Sequence, residues 1–594
     1  MKRAVIALNN YITLIKTPFD QKMALSQSIW SGVLVLLLLL LLFSKIHIAF
    51  NYEINWDEFY YLSFIFKHLR GELSSSLQTF HVHLFSWMSL LTFNEVNLVV
   101  VGRIVMVLLQ VLTGAFLYSI CRNFLTVTAS LFAIFSYFSF SYILLMGASF
   151  RTDPIATFCV TAIVSILLNF QKKNYLILTS ALLGSISLLV TIKSVLYLPT
   201  FILLGLRRIL LSNERKEDLM YVAKILISTL VFFLIGLFFH KQGVESPIKQ
   251  AEVSLLTHSF SKTIEQAEFF PGKAYFLNTL VFDVVFWGTL CSGCVLFWTI
   301  DKQKFISEPA LLNFKFISWV MLYVAFLLPL FSILFYRNAF PYFYTFALPL
   351  ASFFCGLVWF CLFDKFESKA KHFIAGTFIV LLVLNTVKMA VERPQTRSNN
   401  SQKLLVNEIH KIFPKPVSYF DRCSMVSTFR QVGFFMSSWG MENYKANLTP
   451  TFEQIIIKSQ PVFYIANIGY LEEKTLKVEL DNSIDLSETD KNVIGRNYIH
   501  HWNKIYVAGK QFNFGHSSSE LNFHIQISGV YTLEAGSKVN INKTPIYPGE
   551  TLFLSEGRHQ ISAKDGSGIV KLRWGDNLYV PSNEVQIENV FSGF

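Results

Sequence analysis

The chain has 594 residues, of which 53% are hydrophobic, 16% aromatic and only 15% charged, and its formal net charge is +12. A soluble globular protein does not carry that balance, so the composition describes a polytopic membrane protein. The positive charge needs no nucleic-acid partner, because much of it falls in short loops where it fixes topology against anionic lipid.

In chain order, Ser28–Phe43 ("SIWSGVLVLLLLLLLF") carries no charge and continues to Phe50 with only Lys45 and His47. That is long enough for a span of roughly 20 residues, and without a small-residue cleavage site it reads as retained. Apolar runs follow near Val96–Ile120, Phe124–Ala148, Pro154–Phe170, Tyr175–Ile192, Ser194–Leu206 and Leu219–Phe239. Four more lie near Tyr275–Ile300, Phe314–Phe335, Tyr342–Phe363 and Phe373–Ala390, giving about eleven spans. Basic residues gather before the first span (Lys2, Arg3, Lys16, Lys22) and in alternate connections: Lys172 and Lys173; Arg207, Arg208, Arg215 and Lys216; Lys302 and Lys304; Lys365, Lys369 and Lys371. The positive-inside rule then places the N-terminus in the cytoplasm and the other loops, with everything after Glu392, outside.

The outward loops hold the candidate chemistry. In "INWDEFYYL", Asp57 shares a helical face with Tyr60 and Tyr61 while Glu58 points about 100° away. The competing reading is a helix start, where carboxylates complement exposed N–H groups. His81 and His83 in "TFHVHLFSW" could ligate zinc or manganese with Asp57 or Glu58, which makes a divalent metal the one candidate cofactor. Asp153 in "SFRTDPIATF" precedes a proline and suits an N-cap, with Arg151 as ion-pair partner or anion site. Lys193 in "LLVTIKSVLYLP" sits between two apolar runs, either snorkelling or binding phosphate. Arg337 in "YRNAFPYFYTFALP" could grip a lipid phosphate bidentately, and Tyr342 and Tyr344 follow it as pocket candidates with Tyr60, Tyr61 and His83. Asp283, inside a span, requires a Lys or Arg across the bundle. Cys291 and Cys294 form a CxxC within an apolar run and read as small-residue helix packing. The amphipathic loop His240–Ala274 reads as a mobile lid over a lipid-entry site.

"VERPQTRSNNSQK", Val391–Lys403, marks a boundary. The expected domains are a membrane part over 1–390, an exported mixed α/β region over 391–520, and an exported β-sandwich over 521–594. The last rests on the runs "FHIQI", "VYTL", "KVNIN", "ETLFL", "RHQISA" and "IVKLRW", which are separated by turn residues. Trp439, Trp502 and Trp574 could stack on sugars, against the commoner core role.

The order of these features resembles the integral-membrane (C-type) glycosyltransferases that use polyprenyl-phosphate sugars, especially the protein O-mannosyltransferase and aminoarabinose transferase branch. The resemblance covers about Ser28 to Ala390 and is carried by "INWDEFYYL", "HVHLFSWMSLL" and "VGRIVMVLLQVLTGAFLY", then "FRTDP", "LLVTIKSVLYLP" and "YRNAFPYFYTFALP" in the same order. It implies a polytopic α-helical fold with the active site at the outer face of a bacterial inner membrane. The implied donor is a polyprenyl-phosphate sugar, the acceptor a glycan, lipid or protein hydroxyl, and the membrane lipids its surroundings. By the same resemblance Asp57, with Glu58 beside it, and Asp153 are the catalytic acids; Lys193, Arg337 and Arg151 hold the donor phosphate, and His81 occupies the place of a phosphate-contacting lysine. A good leaving group then requires only a base, in-line positioning and phosphate neutralisation, with inversion at the anomeric carbon. A transporter or flippase of lipid-linked glycan, or a non-catalytic glycan-binding scaffold, is the alternative; the absence of internal repeats and the one-sided acids favour chemistry.

Overall fold

The computed structural model describes residues 18–75, 78–169, 171–244, 269–299, 312–365, 370–476, 485–514, 520–563, 568–582 and 585–593. Most of the expected lid loop lies outside the described residues. The chain divides into two compact units: Met1–Tyr52, Gly71–Leu84 and Val101–Thr396 form the first, and Glu53–Arg70, Phe85–Val100 and Arg397–Phe594 the second.

The first unit is helical. Among the described residues, six helices are long and apolar enough to cross a membrane, or up to eight when each bent helix pair counts as one span. Three shorter apolar helices, Val127–Ser139, Thr152–Leu168 and Asn174–Val190, account for the remaining apolar runs of the sequence. By length and composition the chain is therefore multi-pass, with six to eight full-length spans among the described residues beside those three shorter helices.

Local polar groups hold the helix ends and breaks. Arg103 donates to the Tyr52 carbonyl at 2.8 Å, satisfying an acceptor where the first helix, Pro18–Asn51, stops. Arg208 and Asp218 form a buried ion pair at 2.6 Å, to which Ser212 adds a hydroxyl at 2.5 Å, so part of the basic loop charge is consumed internally. Helices Lys273–Phe282 and Val284–Thr299 meet at 95°, and Asp283 sits at that break. Its carboxylate accepts from the Ser141 backbone N–H at 2.7 Å and the Ser141 hydroxyl at 2.5 Å, with Asn385 at 3.5 Å. The expected Lys or Arg partner is replaced by the free N–H of a helix start, Ser141–Met146, because hydrogen bonds at a helix N-terminus satisfy a carboxylate as a cation would. Cys291 and Cys294 are free thiols, and a Cβ at the neighbouring Gly293 would lie 2.0 Å from the Phe354 carbonyl oxygen, so close helix approach explains that small-residue stretch.

The second unit gathers its early segments around the tail. Glu53 donates its N–H to the Arg397 carbonyl at 2.8 Å and accepts from the Ser592 N–H at 2.6 Å. Gln402 brackets Ile54, accepting from its N–H at 2.9 Å and donating to its carbonyl at 2.8 Å. Glu95, fully buried, accepts from the Thr428 N–H and hydroxyl and meets His410 Nε2 at 2.9 Å. The tail strands are β1 (Ser418–Phe420), β2 (Arg430–Gln431), β3 (Phe463–Ile465), β4 (Tyr498–Trp502), β5 (Ile505–Phe514), β6 (Glu520–Ile525), β7 (Gly529–Glu534), β8 (Val539–Ile541), β9 (Thr544–Ile546), β10 (Thr551–Leu554), β11 (Gly557–Ala563) and β12 (Gly568–Trp574). Eight of them build one mixed sheet in the order β10-β7-β12-β5-β3-β1-β2, with β4 also on β5; a second sheet runs β6-β11-β8-β9. Alternate apolar residues of both sheets, including Phe514, Tyr531, Leu533, Ile541, Ile561 and Leu572, share one core, as in a sandwich.

Candidate active site

In the first unit, the chain brings together four residues singled out in the sequence. Arg151 flanks the helix Thr152–Leu168 as its N-cap residue without a side-chain cap. Asp153 therefore does not cap; it stands in the first turn, 1% exposed, and its carboxylate is shared between Lys193 Nζ at 2.6 Å and Arg151 Nε at 3.3 Å. Lys193 comes from the 3-10 turn Ile192–Tyr197, which follows the helix Asn174–Val190. The Tyr342 ring, from the turn Pro341–Phe343, completes the cluster: the Arg151 guanidinium lies 3.4 Å from its centroid and Lys193 Nζ 4.8 Å. Lys193 also lies 5.9 Å from the ring of Tyr336, a residue the sequence reading passed over. Two cations thus converge on one buried carboxylate over an aromatic ring, and guanidinium and ammonium groups are the donors that take phosphate oxygens.

Also in the first unit, Arg337 is half-buried in the turn after Leu312–Phe331. The Tyr344 ring stacks on Phe140 at 5.5 Å, and its buried hydroxyl has no hydrogen-bond partner among the described residues. His81 is buried at the start of the short helix His81–Phe85. His83 Nε2 meets His240 Nδ1 at 2.9 Å, and His240 Nε2 meets the Thr79 hydroxyl at 2.8 Å. Among the described residues, no group of three or more His, Cys, Asp and Glu side chains could hold a metal ion.

In the second unit, Asn55 caps the helix Trp56–Leu69, accepting from the Asp57 N–H at 3.0 Å, while Glu58 accepts from the Asn55 N–H at 3.1 Å to close a capping box. The two acids thus divide: Glu58, 1% exposed, holds the chain entering the helix, whereas Asp57 is half-buried on the other side. Tyr60 stacks on Phe435 at 4.0 Å, and burial, with the charges of Tyr61 and Asp57, raises its phenol above the usual range. Tyr61 is half-buried on the same helix.

The sequence reading missed Arg422. Its guanidinium lies 3.6 Å over the Trp56 ring, and burial pulls its basicity down while the Cys423 and Asp57 charges oppose that. The preceding Asp421 is fully buried and accepts from the Ser424 N–H at 2.7 Å, the Met425 N–H at 2.9 Å and the Asn467 amide at 2.9 Å. Burial still raises its carboxyl above the ordinary value. An Asp-Arg pair just after a strand was the available signal.

No family model and no curated protein matches the sequence. Among solved structures, the chain is similar to the Archaeoglobus fulgidus oligosaccharyltransferase in the apo form, at TM-score 0.50 and 10% identity over 93% of this chain and 97% of that one. It also overlays ArnT from Cupriavidus metallidurans in the apo state, at TM-score 0.45 and 11% identity over 74% of this chain and 93% of that one. A third likeness is to the archaeal oligosaccharyltransferase AglB from Archaeoglobus fulgidus in complex with an inhibitory peptide and a dolichol-phosphate, at TM-score 0.43 and 10% identity over 92% and 97% of the two chains. Of these, the first reaches a TM-score of 0.50 over 93% of this chain and 97% of that one, and the chain accordingly shares the fold of that oligosaccharyltransferase.

Proposed function

We propose that this protein is a membrane glycosyltransferase that moves a monosaccharide from a polyprenyl-phosphate donor to a hydroxyl of a lipid-linked glycan, a lipid A-like lipid or a protein, at the outer face of a bacterial inner membrane. The observation that supports the reading is the buried cluster of Arg151, Lys193 and Asp153 on Tyr342, set in a fold that an oligosaccharyltransferase shares. Lys193 and Arg151, with Arg337 and His81 in support, take the donor phosphate, and Asp153 orients the two cations that hold it. Asp57 accepts the proton of the incoming hydroxyl as its oxygen attacks the anomeric carbon. The bond from that carbon to the phosphate oxygen breaks with inversion, and the polyprenyl phosphate leaves with the electron pair, neutralised by the cations. Glu58 supports Asp57 through the capped helix start; Tyr60 and Tyr61 in the second unit, and His83, Tyr342 and Tyr344 in the first, are the residues assigned to sugar contact.

The test is transfer from a synthetic polyprenyl-phosphate sugar by purified protein in detergent. Lys193→Met, which keeps length and removes charge, should weaken donor use by roughly tenfold or more, the scale of a lost charge-assisted contact. Wild-type donor KM and kcat in that variant remove the phosphate assignment. Mass spectrometry of envelope lipids and glycans from a strain lacking the gene names the sugar and acceptor together.

A further inference from the structure

Lys45 is a buried cation within an apolar helix, and among the described residues no carboxylate meets it. It lies on Pro18–Asn51, 3% exposed. Its ammonium donates to the Ile143 carbonyl at 2.6 Å and stands 5.4 Å from the centroid of the Phe138 ring. An ammonium has three donors, and a charge kept at membrane depth without a counter-ion is costly enough to mark a functional site.

A second polar group faces the same void. Gln110, on the helix Glu95–Arg122, is also 3% exposed, and neither its amide nitrogen nor its oxygen has a hydrogen-bond partner among the described residues. Both side chains line a slot of about 400 Å³ whose other walls include Leu38, Leu42, Val111 and Phe138, a size typical of ligand sites. The lip away from Lys45 is formed by Val35 and Leu39, 46% and 48% exposed, an apolar edge that a bilayer covers. Lys45 is ten residues from Val35, so the polar end and the far lip stand about 15 Å apart along the helix.

We infer that this slot holds the acyl chain of an anionic lipid, whose head-group oxygens accept from the Lys45 ammonium and the Gln110 amide. A positive, hydrogen-bond-donating end joined to an apolar trough that opens on the bilayer selects an amphiphile over a soluble anion, and the unneutralised ammonium selects an anionic head over a zwitterionic one. The site shares no residue with the Asp153 cluster and does not depend on the transfer reaction.

Native mass spectrometry of the full chain in detergent tests this, with palmitoyl-oleoyl phosphatidylglycerol titrated against the matching phosphatidylcholine. The wild type should retain phosphatidylglycerol in preference. Lys45→Met should lose that preference by about tenfold, the scale of one charge-assisted contact, and Gln110→Leu should weaken it less. Ala115→Phe, which fills the slot from its exposed side, should reduce binding of both lipids, and it decides the matter if Lys45→Met does not fold. Equal retention of the two lipids by the wild type, or wild-type retention in a folded Lys45→Met or Ala115→Phe protein, overturns the assignment. Binding is read directly, so a failure of the proposed transfer activity leaves the result intact.

Discussion

Asp57 and Glu58 are neighbours with different work, and substitution separates them. Asp57→Asn keeps shape and most hydrogen bonding while removing the basic oxygen, so turnover should fall about 10²-fold or more with thermal stability unchanged. Glu58 closes a capping box on Asn55, a role glutamine also fills. Glu58→Gln should therefore keep both stability and most activity, while Glu58→Ala should cost about 1 kcal/mol of stability, read as a lower melting temperature in detergent. Wild-type turnover in Asp57→Asn would make the pair a helix start and nothing more. The local chemistry of these residues was legible because each acid or base stands out against an apolar background. The Asp421-Arg422 pair after a strand was a local signal, but the stacking of Arg422 on Trp56 was not legible, because it joins residues far apart in sequence. His83 likewise looked like half of an HxH pair, and its partner instead is His240.

At the scale of elements, apolar runs and turn residues named nearly every helix and strand; the lengths and the breaks were what they hid. Hydropathy sees the run Tyr275–Ile300 as one span because a single aspartate barely lowers its average. The chain instead turns by 95° at Asp283, where the carboxylate supplies acceptors for the start of another helix. Asp283→Ala should leave the Ser141 N–H and hydroxyl without an acceptor and cost about 1–3 kcal/mol, while Asp283→Asn, which keeps one oxygen, should cost less. Melting of both variants in one detergent checks the order, and equal melting of alanine variant and wild type would show that the break does not rely on this residue. In the tail, the six β runs of the sequence each fall on a strand, but which strands pair was beyond reach, since β5 joins β3 to β12 across long intervening stretches and pairing depends on register rather than composition.

For the whole molecule, the first expectation is topological: a reporter fused after Phe594 should be active only on the exported side, and a cytoplasmic signal would end the proposed arrangement. The second concerns acid. His501 is buried between the Tyr579 carbonyl at 3.0 Å and the Arg573 guanidinium at 3.1 Å, and burial pulls its pKa down to about 4. Between about pH 6.5 and 4 the unfolded chain holds the extra proton, so stability is lost as pH falls through that window, by about 2 kcal/mol at about pH 5. Melting of the full chain against pH should show this slope, and His501→Asn should flatten it. The order of synthesis splits the second unit in time. Two of its pieces, Glu53–Arg70 and Phe85–Val100, precede the rest, Arg397–Phe594, by nearly the whole helical part. At a synthesis rate of about 5–20 residues per second, Glu53 and Glu95 are made on the order of 15–60 seconds before Arg397, His410 and Thr428, their partners in the fold, exist, an interval in which a ribosome-bound chain carries both acids without those contacts.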